Sequence, residues 1–277
     1  MFAPHDILIP VGVQQRWWRA AVLGAVQGVT EFLPVSSSGH LVLFEHLLGV
    51  RRPGLALETG LHLGTLGAVV FEYRADLWAA MRGLGGTATG GDAGLLWWLA
   101  VASIPAAVVG VALRRLVDPL FGSLPATAVA WCLTGVALLG AGRRVPGARR
   151  LSDLRLGDAL WIGTAQALAL APGVSRSGAT IVAALARDLA PGEAARFGFL
   201  LSLPVIGGAA LLHARDLAAG GGGAIWLGAV VAGATGLTAI RMAAARVRAG
   251  AIGSFGWYCL ALGILVVLRA ALTGEWR

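Results

Sequence analysis

The sequence predicts an all-α polytopic membrane protein, an inverted-topology repeat of six transmembrane helices and two re-entrant helical hairpins, forming one membrane domain over 1–277. Three observations predict it. The chain is 57% hydrophobic, with mean hydropathy +0.76 and 13% charged residues, about half the charge of an ordinary globular chain. Six apolar runs approach the roughly 20 residues that cross a bilayer, and two further segments of similar character break at proline and serine. Finally, a shift of 139 residues lays Gln27 on Gln166, Val35 on Val174, Ser36 on Ser175, Ser38 on Ser177 and Gly39 on Gly178. Each repeat then holds one hairpin and three spans, an odd number, so the second copy enters the membrane upside down.

Repeat 1 covers about 18–142 and repeat 2 about 154–272. The N-terminal stretch lacks the basic start and clean apolar core of a cleaved signal. Trp17 and Trp18, between Arg16 and Arg19, read as an interfacial anchor. The first hairpin, 18–49, breaks at Pro34 and at Ser36, Ser37 and Ser38; the second, 154–188, breaks at "APGVSRSG". Each arm is about 12 to 17 residues, short of a core about 30 Å thick at 1.5 Å per residue. Non-helical backbone at such depth needs protein or a cavity to cover it.

Spans follow at 55–74, 94–113 and 124–142, then at 194–213, 224–245 and 255–272. In the first of these, Glu58 and His62 share a face at i, i+4 and either touch a site or pair with each other. Glu45 with Arg51, and Glu193 with Arg196, read as interfacial pairs, and "GGGG" at 220–223 as a loop. Arg143, Arg144, Arg149, Arg150 and Arg155 crowd one short loop. The positive-inside rule puts that loop in the cytoplasm and both termini outside. All 22 basic residues are arginine and the net charge is +8, which suits a protein facing anionic lipid. No exposed basic domain is left for nucleic acid. Cys132 and Cys259 fall in apolar runs, which argues against a disulfide framework or a zinc site.

The hairpin breaks carry the chemistry. In "LAPGVSRSGATIV", Pro172 and Gly173 stop one helix and a new one starts near Gly178. Its free N–H groups and dipole favour an anion. Ser175 and Ser177 add hydroxyls or serve as caps, and Arg176 can grip phosphate through two parallel hydrogen bonds. An intramembrane arginine is functional by default. In "VTEFLPVSSSGHLVL", Glu31 lies one turn before the break and Gln27 one turn earlier on the same face. His40, three residues after Ser37, is within hydrogen-bond reach if the turn curls back, and a Ser–His pair makes an activated nucleophile. Glu31 could hold a metal, orient the imidazole or exchange protons.

At these residues the chain resembles the undecaprenyl-diphosphate phosphatase family, the BacA-type bacitracin-resistance proteins. The motifs that carry the resemblance are "QGVTEFLPVSSSGH" and "PGVSRSGAT". It implies hydrolysis of the terminal phosphate of undecaprenyl diphosphate at an outward-facing site in the bacterial plasma membrane. It also implies a divalent cation, Mg2+ or Ca2+, and a homodimer. Carried over, Arg176 clamps the diphosphate with Ser175, Ser177, Thr180 and Ser36. Ser37 or His40 attacks or activates water, and Glu31 supports the metal or the proton transfer. Position 27 is Gln where relatives also show Glu, so Glu31 is the expected cation ligand and Gln27 a poor one. The family more often shows Gln at the position of His62. The rival reading is a transporter or flippase of a polyprenyl phosphate, because broken helices in inverted repeats also serve transport. Acid–base groups beside the arginine favour hydrolysis.

Overall fold

The computed structural model describes residues 13–47, 55–84, 94–112, 123–220 and 222–273. Among them the chain is helical, with no extended strand. In chain order the helices are α1 (Val13–Phe32), α2 (Ser37–Leu47), α3 (Leu55–Glu72), α4 (Arg74–Leu84), α5 (Leu95–Ala112) and α6 (Leu124–Gly142). There follow α7 (Leu156–Leu168), α8 (Arg176–Leu185), α9 (Pro191–Leu200), α10 (Ser202–Leu212), α11 (Ala214–Gly220), α12 (Gly223–Arg248) and α13 (Gly253–Thr273).

Among the described residues five stretches are long and apolar enough to cross a membrane: Leu95–Ala112, Leu124–Gly142, Pro191–Leu212, Gly223–Arg248 and Gly253–Leu272. The third joins α9 and α10 across Leu201. Their outward faces keep large apolar side chains exposed, such as Trp97, Val111, Leu133 and Leu265, as lipid contact requires and water does not. The segment expected to span at 55–74 is helical over Leu55–Glu72 as α3, but Glu58, His62 and Glu72 lower its hydropathy and it is not among the five. Two short helices, α4 and α11, were not expected. Both are polar on one side and too brief to give a clear period. The Glu193–Arg196 pair forms at 3.8 Å, and Arg196 also holds Asp76 of α4 at 2.5 Å. The Glu45–Arg51 pair lies outside the described residues.

Both chain breaks fall where the motifs put them, with helices resuming at Ser37 and Arg176, two residues earlier than expected. The arms of 11, 13 and 10 residues in α2, α7 and α8 reach only about 15–20 Å. The remaining arm, α1, is longer than expected at 20 residues. Its first turns carry Gln14, Gln15, Arg16 and Arg19 with the half-exposed Trp17 and Trp18, a set suited to the interface. The buried part from Ala20 onward matches α7 in length.

Close glycine contacts set the helix directions. A Cβ on Gly24 would strike the Gly228 carbonyl, one on Gly28 the Ala232 carbonyl, and one on Gly236 would crowd the Phe32 ring. Numbers rise together, so α1 runs parallel to α12, and Glu31 lies level with the middle of that 26-residue helix. Helix α3 is parallel to α12 as well (Gly60 against Ile225, Gly64 against Ala229), whereas α6 and α13 are antiparallel (Gly142 against Gly253, Gly135 against Gly256, Cys132 against Gly263). The hairpin tips meet the middle of α6. Trp131 Nε1 donates to Val35 O at 2.9 Å, and Thr134 Oγ1 donates to Gly173 O and accepts from Ser175 N, both at 3.3 Å. Gly173 has φ +89° and presses against Thr127 O and Ala130 Cβ, so both its conformation and its surroundings call for glycine.

The arginine-rich loop is clamped rather than free. Asp158, fully buried at the start of α7, accepts from Arg149 Nη2 and Arg187 Nε, each at 2.6 Å, and from Arg155 N at 3.1 Å. Arg149 N also donates to Asp188 O, and Ala190 N to Arg149 O. Burial raises the Asp158 carboxyl, but the bonds from Arg149, Arg187 and the Arg155 amide outweigh it and hold it at about 2. The value lies below the ordinary 3.8, so this stabilisation is present above pH 3.8 and is lost as pH falls through 2. An Asp158→Asn variant, which breaks both pairs, should therefore lose about 3 kcal/mol. A thermal melt would then fall by several degrees at neutral pH and differ little from wild type near pH 2.

Candidate active site

The repeat found in sequence is repeated in hydrogen bonds. Ser36 Oγ accepts from Gly39 N at 3.3 Å and lies 3.2 Å from Ser38 Oγ. Ser175 Oγ accepts from Gly178 N at 3.1 Å and lies 3.3 Å from Ser177 Oγ. These are N-cap contacts that satisfy orphan donors at the starts of α2 and α8. The first residues of the two returning helices, Ser37 and Arg176, are equivalent by the same shift, and both reach Glu31.

Glu31 is the centre of the cluster. Its Oε1 accepts from Arg176 Nη2 at 2.7 Å. Its Oε2 accepts from Ser37 Oγ at 2.5 Å and from Gln27 Nε2 at 2.8 Å. His62 Nε2 stands 3.9 Å from the same oxygen, so α3 does reach the site, and His62 Nδ1 is 2.8 Å from Glu58 O. Glu31 is buried, as a carboxylate this deep can be only when paired. Ser37 and Arg176 stay partly open, which leaves them accessible to a bound molecule. Arg176 Nη1 is buried without a partner, and Gln27 Oε1 likewise. A spare donor and a spare acceptor on either side of one carboxylate are what a phosphate and a cation would use.

His40 is not where the motif suggested. Among the described residues Ser37 and His40 do not bond each other. His40 Nδ1 lies 2.7 Å from Ser36 O and Nε2 lies 2.8 Å from Tyr258 OH. The physical reason is Ser36, whose φ of +69° turns its carbonyl back toward the imidazole one turn on. The group that holds the Ser37 hydroxyl is Glu31. Of the five residues expected to bind substrate, Arg176 lies in the cluster and the other four make contacts elsewhere. Ser175 and Ser177 are buried, the latter donating to Leu33 O at 3.3 Å, and Thr180 Oγ1 donates to Arg176 O at 3.0 Å. They join and brace the tips, as Ser36 does. Sequence reasoning missed Tyr258, Trp131 and Thr134. The only signal for them was polar-tipped side chains inside apolar spans, which usually find a partner when buried.

Among the described residues no group of three His, Cys, Asp or Glu side chains is placed to hold a metal. One carboxylate and one unpartnered amide oxygen still suit a hard cation that takes its other ligands from phosphate and water.

A family profile described as "Bacitracin resistance protein BacA" matches residues 20–265. A protein of Desulfosudis oleivorans named undecaprenyl-diphosphatase is 42% identical over 261 residues, covering 88% of this chain and 95% of its own. Proteins of the same name from Desulfatibacillum aliphaticivorans and Moorella thermoacetica are 39% and 40% identical. They cover 91% and 90% of this chain, and 98% and 96% of their own.

Proposed function

The chain belongs to the BacA family of bacitracin resistance proteins, and from that premise we infer that it is a multi-pass membrane phosphatase hydrolysing undecaprenyl diphosphate to undecaprenyl phosphate and inorganic phosphate. The reaction returns a lipid carrier to cell-wall synthesis. The observation that carries the site assignment is the division of Glu31 between Ser37 Oγ and Arg176 Nη2.

In the proposed mechanism Arg176 holds the terminal phosphate through Nη1, with the N-terminal amides of α2 and α8 adding positive potential. Ser37 Oγ attacks the terminal phosphorus as Glu31 takes its proton. The bridging P–O bond breaks and undecaprenyl phosphate leaves. Water then attacks the phosphoserine, the P–Oγ bond breaks as Glu31 returns its proton to Ser37 Oγ, and phosphate departs carrying both protons of the water. Glu31 and Gln27 Oε1 would hold the divalent cation, Mg2+ or Ca2+, which when bound offsets the charge on the diphosphate.

The finer architecture belongs to the same proposal. Six spans and two re-entrant hairpins are supported by the parallel run of α1, α3 and α12, the antiparallel run of α6 and α13, and the short arms. We place both termini outside, from the Arg143 to Arg155 cluster. Hairpin α1–α2 then enters from that side and the site faces outward in a bacterial plasma membrane. The proposal includes a homodimer, tested by native mass measurement in detergent at twice 28.3 kDa.

The functional test is phosphate release from undecaprenyl diphosphate by purified protein, with and without chelator. Turnover that stops on chelation and returns with Mg2+ or Ca2+ is expected. Tight lipid binding with no phosphate released under any metal would sink the enzyme reading and favour a transporter.

A further inference from the structure

His40 is 4% exposed, its ring stacked on Tyr258 (centroids 5.7 Å, planes 7° apart) and edge-on to Trp131 at 5.3 Å. A backbone carbonyl only accepts, so the bond to Ser36 O puts the hydrogen of the neutral ring on Nδ1. Nε2 is then an acceptor, and its partner is the Tyr258 hydroxyl, which donates to it. Both nitrogens are thus engaged by groups other than Ser37. The next residue on α13, Cys259, directs Sγ at Pro34 O, 3.7 Å away. The tip therefore has its successive carbonyls taken up by side chains: Leu33 by Ser177, Pro34 by Cys259, Val35 by Trp131 and Ser36 by His40. Three of these four bonds come from other elements. The fourth comes from His40, whose orientation depends on a hydroxyl contributed by α13.

We infer that Tyr258 is a positioning residue for the phosphatase: by fixing the tautomer and the orientation of His40 it holds the left-handed turn at Ser36, and so sets Ser37 against Glu31. On this account His40 is also a positioning residue and takes no proton from the nucleophile. The inference rests on the phosphatase reading of the Glu31 cluster and adds a residue that contacts neither that cluster nor a substrate phosphate.

Tyr258→Phe keeps the stacked ring and removes only the donor. Per folded enzyme, judged by size exclusion and melting temperature, kcat should fall roughly 10- to 100-fold, the size of loss seen when the outer partner of a metal-bound histidine is removed, with KM unchanged. Added to His40→Ala, the same change should have no further effect, because Tyr258 acts through His40. A kcat within two-fold of wild type, a loss fully explained by a smaller amount of folded protein, or effects that multiply in the double variant would each overturn the assignment. A wild-type protein that releases no phosphate would instead overturn the function on which it rests.

Discussion

The Glu31→Gln variant is expected to release phosphate about a thousand-fold more slowly than wild type, within the 10²–10⁴ that a positioned base contributes. Glutamine keeps the size of the side chain and can still accept from Ser37, but it cannot take the proton. The effect should be a loss of kcat with no rise in KM. In the free protein the carboxylate holds Arg176 Nη2 at 2.7 Å, so it neutralises part of the charge that the phosphate meets at Nη1. Removing that charge releases Arg176 to the substrate, and KM should stay level or fall. A raised KM with kcat intact would mean that Glu31 serves binding only.

The second large effect is at Arg176. Arg176→Ala removes the phosphate clamp, worth about 10³–10⁵ in rate where an arginine stabilises phosphoryl transfer. It also leaves Glu31 as a buried charge without its partner, a loss of about 3–5 kcal/mol in stability. The two consequences separate in a cycle. Arg176→Ala combined with Glu31→Gln should recover most of the melting temperature and none of the activity. Arg176→Lys should keep stability near wild type, because the charge persists, yet still lose activity because the planar fork is gone. Recovery of activity in the double variant would contradict the clamp.

Local features of the site were legible in the sequence because they are local in physics. Pro34 and the Pro172–Gly173 pair break helices by their own backbone chemistry, and the serines after each break are capping residues. By the 139-residue shift Ser37 and Arg176 hold equivalent positions, a pair that identity matching passes over because the two residues differ. What it could not supply was which polar group faces which. Glu31 and Arg176 are 145 residues apart, and His40 meets a tyrosine 218 residues along. For His40 the spacing argument favoured Ser37, while one left-handed residue, Ser36, redirected it. The clamp on Asp158 was hidden by reading its arginines only as a charge count. The length of α1 was underestimated because its first turns are polar and read as flank rather than helix.

The most direct measurement is acid quench of the protein during turnover of undecaprenyl diphosphate labelled at the terminal phosphate, followed by peptide mass analysis. The account predicts transient label on Ser37 in wild type, none in Ser37→Ala, and little in Glu31→Gln. Steady release of phosphate by wild type with no label on Ser37 at any time point, or full activity in Ser37→Ala, would contradict it.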